Sequence, residues 1–503
     1  MEKRHALNEY IAMLKERGLF VRAENADQSR AVEGLTFDDR ESGAGTLFIC
    51  KGARFKEEYL KNAYAKGAFA YVSEREYPSV PGGVIVTDVR RAMAYLAMLF
   101  TDNAAKKMRL VGITGTKGKS TTAYFVKSIL DSATGGKCGI VSTIKNYDGA
   151  SAAEATLSTP ESVQLHKYYA SAYKNGMEFF VTELSSQALK YDRALGVKLE
   201  VGCFTNLGRD HISPAEHADE EDYFRSKLKI FDSCRKACVN SGSARFEEIF
   251  AAAKEKCEKV YTYGHNESDD IYCKEIKSSA GGASFAVRTP AFEGAVNMDM
   301  RGVFNVDNAL AAIACCTALG IDGKYIIKGI ESARVEGRME HYSSADGSVD
   351  VIVDYAHNGM SLEALLGEIR NEFPESRLIT VFGCPGNKAP ERRREMGEVS
   401  ARHSDLTVIT EDDEGEEPLE DICAEIARSV KSAGGEYIVI PDRERAIDKA
   451  INGSEGKRIV VLAGKGCETH QRRANGIVKV PSDAEYAKEY LASYDAAHST
   501  ATV

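Results

Sequence analysis

The sequence predicts an α/β protein of three domains: a small mixed N-terminal domain, a central P-loop-type domain built on a parallel sheet, and a C-terminal Rossmann-like domain. Three observations carry this. Apolar, β-branched runs alternate with helix-period segments, the pattern of parallel strands joined by helices. One run, "RLVGIT" (109–114), leads through a glycine-rich turn into the helix-like "KSTTAYFVKSILDSA". A second strand–helix series starts near Met339. The length of 503 residues fits two to four domains.

Residues 1–107 hold the strand candidates "TLFICKG", "AFAYVSE" and "GVIVTD" and the helical pattern "FKEEYLKNAYAKG". Residues 108–338 hold "RLVGIT" and the further buried-strand candidates "FFVTEL" (179–184), "VGCFTNL" (201–207) and "ACVNS" (237–241). Residues 339–503 hold "VDVIVDYA" (349–356), "RLITVFG" (377–383), "LTVIT" (406–410), "EYIVIP" (436–441) and "RIVVLAG" (458–464), with helical segments between them. Three domains on one chain suit a reaction among several ligands, with closure between domains.

A net charge of -10 with no compact basic stretch argues against general nucleic-acid binding. The N-terminus lacks the apolar core of a signal peptide, and no run of about 18 apolar residues occurs, so a cytoplasmic protein with no membrane span is expected. Twelve scattered cysteines fit reduced, mostly buried thiols. Cys234, Cys238, Cys257 and Cys273 could form a zinc set, but no C-x-x-C pair supports it, and small core residues are the preferred reading.

The chemistry starts at "GTKGKST", Gly115 to Thr121. A strand, a glycine turn and a helix start follow in the order that presents backbone N–H groups and the helix dipole to an anion. Lys119 would bring a point charge to the β- and γ-phosphates of a nucleotide. Ser120 would give a hydroxyl oxygen to Mg²⁺. The spacing is not the common G-x-x-x-x-G-K-[ST]. Glu183 closes the strand "FFVTE", where a carboxylate faces the ligand crevice of an open α/β sheet; it is a magnesium ligand or a strand-end acid in solvent. His211 ends "TNLGRDH", and Lys227 lies in the helical "YFRSKLKIF". By spacing alone, one is a structural histidine and the other a snorkelling lysine.

Taken together, "GTKGKST", "STPES" (158–162), "ELSSQAL" (183–189), "TNLGRDH" (205–211), "YFRSKLKIF" (223–231), "GVFNVDNALAA" (302–312), "VEGRME" (335–340), "DYAHN" (354–358) and "GKGCE" (464–468) resemble the Mur ligases nearly end to end. These are ATP-dependent amide-forming enzymes of bacterial cell-wall (peptidoglycan) precursor synthesis. The family's G-T-x-G-K-[ST]-[ST] loop accounts for the unusual spacing. The motif order is most similar to the branch that adds the third amino acid to UDP-N-acetylmuramoyl-L-alanyl-D-glutamate. The resemblance implies ATP and Mg²⁺ as cofactors, an acyl-phosphate intermediate, and a monomer. It implies that Gly115, Thr116, Lys117, Gly118, Lys119, Ser120, Thr121, Asn305, Arg338, Asp354, Tyr355 and His357 contact ATP. Metal would be held by Ser120, Glu183, His211 and Lys227, the last carbamylated, which turns an ammonium into an anionic oxygen ligand. Ser158, Thr159, Ser185 and Arg193 would hold the nucleotide-sugar peptide. Asp39, in "FDDRESGAGTLF" (37–48), stands where the family's UDP-binding segment has serine, and Gln187 stands where many relatives have histidine. The rival readings are another ligase of the superfamily, such as a folylpolyglutamate synthetase, and a non-catalytic precursor-binding subunit.

The added amino acid is read from "EDDEGEEPLED" (411–421). Family members that add meso-diaminopimelate have a D-N-P-R motif here, whose arginine grips a distal carboxylate. In this chain Glu414 takes the arginine's place. A carboxylate there repels a distal carboxylate and attracts an ammonium, so L-lysine is expected. Ornithine is one methylene away, a difference worth about 1–3 kcal/mol in a hydrophobic pocket. Glu468 is a further amino-acid contact but does not discriminate, because the diaminopimelate enzymes also have a glutamate there. The alternative is a solvated acidic loop without substrate contact. Arg392, Arg393 and Arg394 are read as a solvated helix face.

Overall fold

The computed structural model describes residues 4–53, 55–208, 216–279, 282–387, 390–453 and 456–498. The fold class is α/β, as expected. Its main sheets lie within residues 20–86, 109–298 and 340–463. We propose 1–107, 108–338 and 339–503 as the domains built on them. By contacts the chain forms two compact units. The first takes residues up to Glu275 with Phe285–Val296 and Asp307–Ser332; the second takes Ile276–Ser284, Asn297–Val306 and everything from Ala333.

In the first unit, the N-terminal sheet has five strands in the order Phe20–Glu24, Gly83–Val86, Ala68–Ser73, Thr46–Ile49 and Gly34–Thr36. All neighbours are parallel except the first pair. The core joins Leu47, Ile49, Val72 and Val84 to the apolar faces of helices Leu7–Glu16 and Val89–Phe100.

The central sheet places the strand Arg109–Thr114 between Phe179–Glu183 and Leu199–Phe204, both parallel to it. Chain order departs from sheet order here: the strand following Arg109–Thr114 and its helix, Cys138–Val141, lies beyond Phe179–Glu183. Later strands build outward on the opposite side. Such a reversal opens a crevice at the carboxyl ends of the strands, where open α/β sheets bind ligands. Helix Lys119–Thr134 enters from Gly118 and stops at Gly135, whose φ of 72° needs no Cβ penalty there. It buries Thr122, Phe125, Val126, Ile129 and Leu130, a helical stripe. Gly329 of helix Gly323–Ser332 meets it so closely that a Cβ would stand 2.4 Å from the Ile129 Cα.

The second unit carries a six-stranded sheet ordered Glu340–Ser343, Val349–Asp354, Arg458–Ala463, Arg377–Phe382, Leu406–Ile409 and Tyr437–Val439. Only the first pair is antiparallel. One face is covered by helices Gly359–Glu372, Glu391–His403 and Leu419–Ser432, packed through Leu362, Leu366, Met396, Ile422 and Ile426. The other is covered by Arg443–Asn452 and Asp483–His498 through Ile447, Ile451, Ala487 and Leu491. Burial on both faces explains why these strands read as continuous apolar runs.

All twelve cysteines are free thiols, ten of them buried. Cys234 and Cys257 lie 3.4 Å apart. The four candidate zinc cysteines do not gather: the one metal-sized cluster of His, Cys, Asp and Glu side chains among the described residues is Asp413, Glu468 and His470. The arginine run is corrected in part. Arg394 is exposed, but Arg393 is buried, 2.7 Å from Glu417 and 2.9 Å from Glu425. Among the described residues, no helix is long and apolar enough to cross a membrane.

Candidate active site

The glycine turn has a conformation only glycine tolerates at two points. Gly115 has φ 145° and Gly118 has φ 80°; a Cβ would meet Thr205 Oγ1 or Asn308 Oδ1 at 1.9 Å. The turn is fastened from the next strand's end. Thr116 N donates to the Asn206 carbonyl (2.9 Å), Lys117 N donates to Asn206 Oδ1 (2.8 Å), and Thr205 Oγ1 donates to the Lys117 carbonyl (2.7 Å). Asn206 therefore uses the amides of Thr116 and Lys117. Ser120 and Thr121 occupy the first helical turn, where amides have no intrahelical acceptor, and both side chains are buried.

Two lysines converge on this turn. Lys119 Nζ donates to the carbonyls of Gly115 and Thr116, both at 3.0 Å. Lys227 Nζ donates to the Gly115 carbonyl at 2.6 Å and lies 4.4 Å from the centre of the Tyr223 ring. Lys227 is only 1 % exposed, so the snorkelling reading fails. Its helix, Glu220–Leu228, is aimed by two contacts. Tyr223 Oη donates to Thr116 Oγ1 (3.1 Å), and the buried His217 joins Ser186 Oγ (2.9 Å) to Asp222 Oδ2 (3.3 Å). His211 lies outside the described residues.

Glu183 is fully buried at the end of its strand, level with Ile113 of the strand that leads into the turn. Thr143 N donates to its Oε1 (3.0 Å), and the Thr143 hydroxyl lies 3.2 Å from its Oε2 and 2.9 Å from Ser158 Oγ. Burial removes the solvent-exposed reading. The Thr159 hydroxyl donates to the Glu183 carbonyl (2.7 Å), and Ser185 N donates to Thr159 Oγ1 (3.0 Å). Arg193 Nη1 donates to the Thr159 carbonyl (2.9 Å). Ser158, Thr159, Ser185 and Arg193 thus form one bonded group around Glu183. Asp39 stands elsewhere in the unit, where its Oδ2 accepts from Asn62 (3.1 Å). Thr143, Asn206 and Tyr223 support the site; Asn206 and Tyr223 fall in the motif segments 205–211 and 223–231, and Thr143 falls in none.

The donor set near the turn fits a hard divalent cation: the hydroxyl of Ser120, in the first turn of the helix after the glycine turn, and the carboxylate of Glu183, at the end of the strand adjacent to the one that leads into that turn, are oxygen donors. Thr114 Oγ1 is a third oxygen at this strand end, buried without a hydrogen-bond partner. The Lys227 amine is not a cation ligand as it stands and becomes one only as a carbamate.

Taken by itself, the second unit holds the other candidate residues. Asp354 ends its strand and accepts from Met339 N (2.9 Å); burial pushes its carboxyl up against the pull of Arg338. The Arg338 guanidinium lies 4.4 Å from the Tyr355 ring centre, and Tyr355 packs edge-on to His357. Tyr355 Oη donates to Glu468 Oε1 (2.9 Å). Asn305 Nδ2 donates to the Arg301 carbonyl (2.7 Å).

The acidic loop is solvated only in its second half, at Glu416, Glu420 and Asp421. Glu411, Asp412 and Glu414 are all buried. Glu414 Oε2 accepts from Gln471 Nε2 (2.9 Å). Lys465, itself buried, lies 2.9 Å from both Asp413 and Glu468. Burial alone would lower the Lys465 pKa, but Asp412, Glu468 and Asp413 outweigh it and hold the ammonium above its ordinary value. Burial pushes the Asp412 carboxyl up to about 7, against Lys465 and Arg443.

That shift sets a stability prediction. Between the unfolded carboxyl value near 4 and about 7, native Asp412 keeps a proton that the unfolded chain has lost. Its contribution to stability is therefore complete at low pH and lost as pH rises through that window. Asp412→Asn should gain on the parent by a few degrees in melting midpoint from pH 5 to pH 8, with no further change above. Thermal melts at each pH measure this; parallel curves for the two proteins would refute it.

Comparison with known proteins identifies the family. Residues 113–316 match the Mur ligase middle domain, and 337–466 match the Mur ligase glutamate ligase domain. The chain is 37% identical over 498 residues to a UDP-N-acetylmuramoyl-L-alanyl-D-glutamate–L-lysine ligase of Enterococcus faecalis, covering 97% of this chain and 96% of that one. It is 38% identical over 467 residues to the ligase of the same name from Streptococcus pyogenes, covering 92% and 94%. A solved UDP-N-acetylmuramoyl-L-alanyl-D-glutamate–2,6-diaminopimelate ligase superposes with a TM-score of 0.67 at 24% identity, over 98% of this chain and 99% of that one. With relatives of this identity along nearly its whole length, the chain belongs to the Mur ligase family.

Proposed function

We propose that the protein is an ATP-dependent ligase of peptidoglycan precursor synthesis that adds L-lysine to UDP-N-acetylmuramoyl-L-alanyl-D-glutamate, releasing ADP and phosphate. The observation that carries this is the pairing of Lys119 and Lys227 on the Gly115 carbonyl, in the turn after the strand that runs beside the buried Glu183, in a chain 37% identical to a lysine-adding ligase.

The residues support a two-step reaction. The precursor's carboxylate attacks the γ-phosphorus of ATP, forming an acyl phosphate and ADP. The α-amine of lysine then attacks the acyl carbon, phosphate leaves, and the amine gives up a proton. Both steps need anions brought together and aligned more than they need a covalent nucleophile. Lys119 places its charge over the turn on a short tether. The first-turn amides at Ser120 and Thr121 receive phosphate oxygens. Thr159, Ser185 and Arg193 orient the precursor beside Glu183. Mg²⁺, held by Ser120, Glu183, a carbamylated Lys227 and His211, would offset the charge of the reacting anions. In the second unit, Arg338, Asp354, Tyr355, His357 and Asn305 are assigned to ATP.

Glu414 favours lysine because its buried carboxylate attracts a distal ammonium and repels a distal carboxylate, and Glu468 is a further contact that does not discriminate. Phosphate release with precursor, ATP and each of lysine, ornithine and meso-diaminopimelate tests the reading: lysine should be preferred, and preference for diaminopimelate would overturn the assignment. Glu414→Arg should raise KM for lysine by about tenfold or more, with KM for ATP unchanged. Because Glu414 is buried, Glu414→Gln is the companion variant; unchanged lysine kinetics in both would make the loop a bystander.

A further inference from the structure

Four charged side chains meet in the first unit on segments far apart in sequence. Lys51 follows strand Thr46–Ile49, and Arg90 lies in the first turn of helix Val89–Phe100. Glu161 immediately precedes helix Ser162–Lys174, and Arg193 follows helix Ser186–Lys190. Glu161 is the centre: Lys51 Nζ is 3.0 Å from Oε2, Arg193 Nη2 is 3.0 Å from Oε1, and Arg90 Nη1 is 3.9 Å from Oε2. Lys51 rests on the Phe37 ring (4.2 Å) and Arg90 on the Tyr191 ring (4.4 Å).

The charges do not balance. Three cations share one carboxylate, leaving an excess of two positive charges in a place where Glu161 and Arg193 are over nine-tenths buried. Burial pushes the Lys51 ammonium and the Arg193 guanidinium down, and Arg90 pushes the same way while Glu161 opposes it. Arg193 Nε and Arg90 Nη1 are buried with no hydrogen-bond partner. A fold keeps uncompensated buried cations at a cost, and the cost is recovered when an anion arrives with a ligand. The cluster is joined to the reaction centre, since Arg193 holds the Thr159 carbonyl while the Thr159 hydroxyl holds the Glu183 carbonyl.

We propose that Lys51 and Arg90, with Arg193, form a binding site for an anionic oxygen group of the nucleotide-linked acceptor substrate, with Glu161 as the internal carboxylate that holds the three cations together until that group binds. The inference rests on the ligase reading given above. Two groups on the substrate have this chemistry: the glutamyl carboxylate that does not react, and the diphosphate. Glu161 is a positioning residue, whereas Lys51 and Arg90 touch the ligand.

The test measures turnover and calorimetric binding for the parent, Lys51→Met, Arg90→Gln and the charge-retaining Arg90→Lys. Lys51→Met and Arg90→Gln should each weaken precursor binding and raise its KM by about tenfold or more, with KM for ATP and lysine within about twofold. Arg90→Lys should recover most of the loss. A precursor with its non-reacting glutamyl carboxylate amidated, and UDP alone, identify the group. If the variants lose discrimination between acid and amide, the carboxylate is bound there; if they lose affinity for UDP, the diphosphate is. Precursor binding within about twofold of the parent in both charge-removing variants would overturn the site. Should the parent make no product, the ligase reading fails, and binding of the precursor to parent and variants still decides the site.

Discussion

Replacing Lys227 with methionine is expected to abolish ligation, lowering kcat by about 10³-fold or more while the protein stays folded. The fold should survive because the Gly115 carbonyl accepts from Lys119 as well as from Lys227, so it keeps a donor when one amine is lost. Methionine also fills nearly the same buried volume among Tyr223 and its neighbours. The loss would be chemical: the group that brings a charge or an oxygen ligand to the phosphate turn is gone. Two roles for the lysine separate in one experiment. If the working form is a carbamate, its nitrogen bonds the carbon of CO₂ and releases a proton. Activity of the parent should then fall in buffers stripped of CO₂ and return with bicarbonate, while the methionine variant responds to neither. Parent activity independent of CO₂, with the variant still inactive, would assign Lys227 as a cation beside the turn. A variant within about tenfold of the parent would remove Lys227 from the machinery.

Why some of this was legible in the sequence follows from what each residue packs against. The strands at 109–114, 179–183, 349–354, 377–382 and 458–463 are buried on both faces, so they read as unbroken apolar runs. Strand Phe20–Glu24 is partly exposed, and Cys138–Val141 is four residues long, so neither carries such a run. With Cys138–Val141 went Thr143, the main partner of the Glu183 carboxylate, which only the tertiary fold brings within 3.0 Å. The acidic loop misleads in the opposite direction. Eight acids in the eleven residues of 411–421 suggest solvent exposure, which Glu416, Glu420 and Asp421 have but the buried Glu411, Asp412 and Glu414 do not. The loop's counter-charges come from distant segments: Lys465 for Asp413, Arg473 for Glu411, and Arg393 for Glu417. Sequence pattern reports the local run of charge; burial depends on cations tens of residues away. Lys227 is a similar case, since its helix has a weak apolar face and the lysine is buried by the turn that it bonds.

Glu183→Gln is expected to cost about 10²–10³-fold in kcat, with a rise in the Mg²⁺ concentration needed for half-maximal rate. The substitution keeps shape and volume, and the Thr143 amide can still donate to the remaining carbonyl oxygen. The Thr143 hydroxyl can rotate to accept from the new amide group, so the local bonds to Thr143 and Ser158 are preserved in number. Stability should therefore change little, by about 1 kcal/mol or less. What disappears is a negative charge at the end of a strand adjacent to the phosphate turn. If that charge exists to hold a cation, more Mg²⁺ should recover part of the lost rate, and KM for lysine should be unmoved. If Glu183 serves only to order Thr143 and Ser158, the metal titration should overlay that of the parent. A Glu183→Gln enzyme with the parent's kcat and the parent's metal dependence would exclude the carboxylate from the reaction and leave Ser120 and a carbamylated Lys227 as the oxygen donors assigned within the described residues.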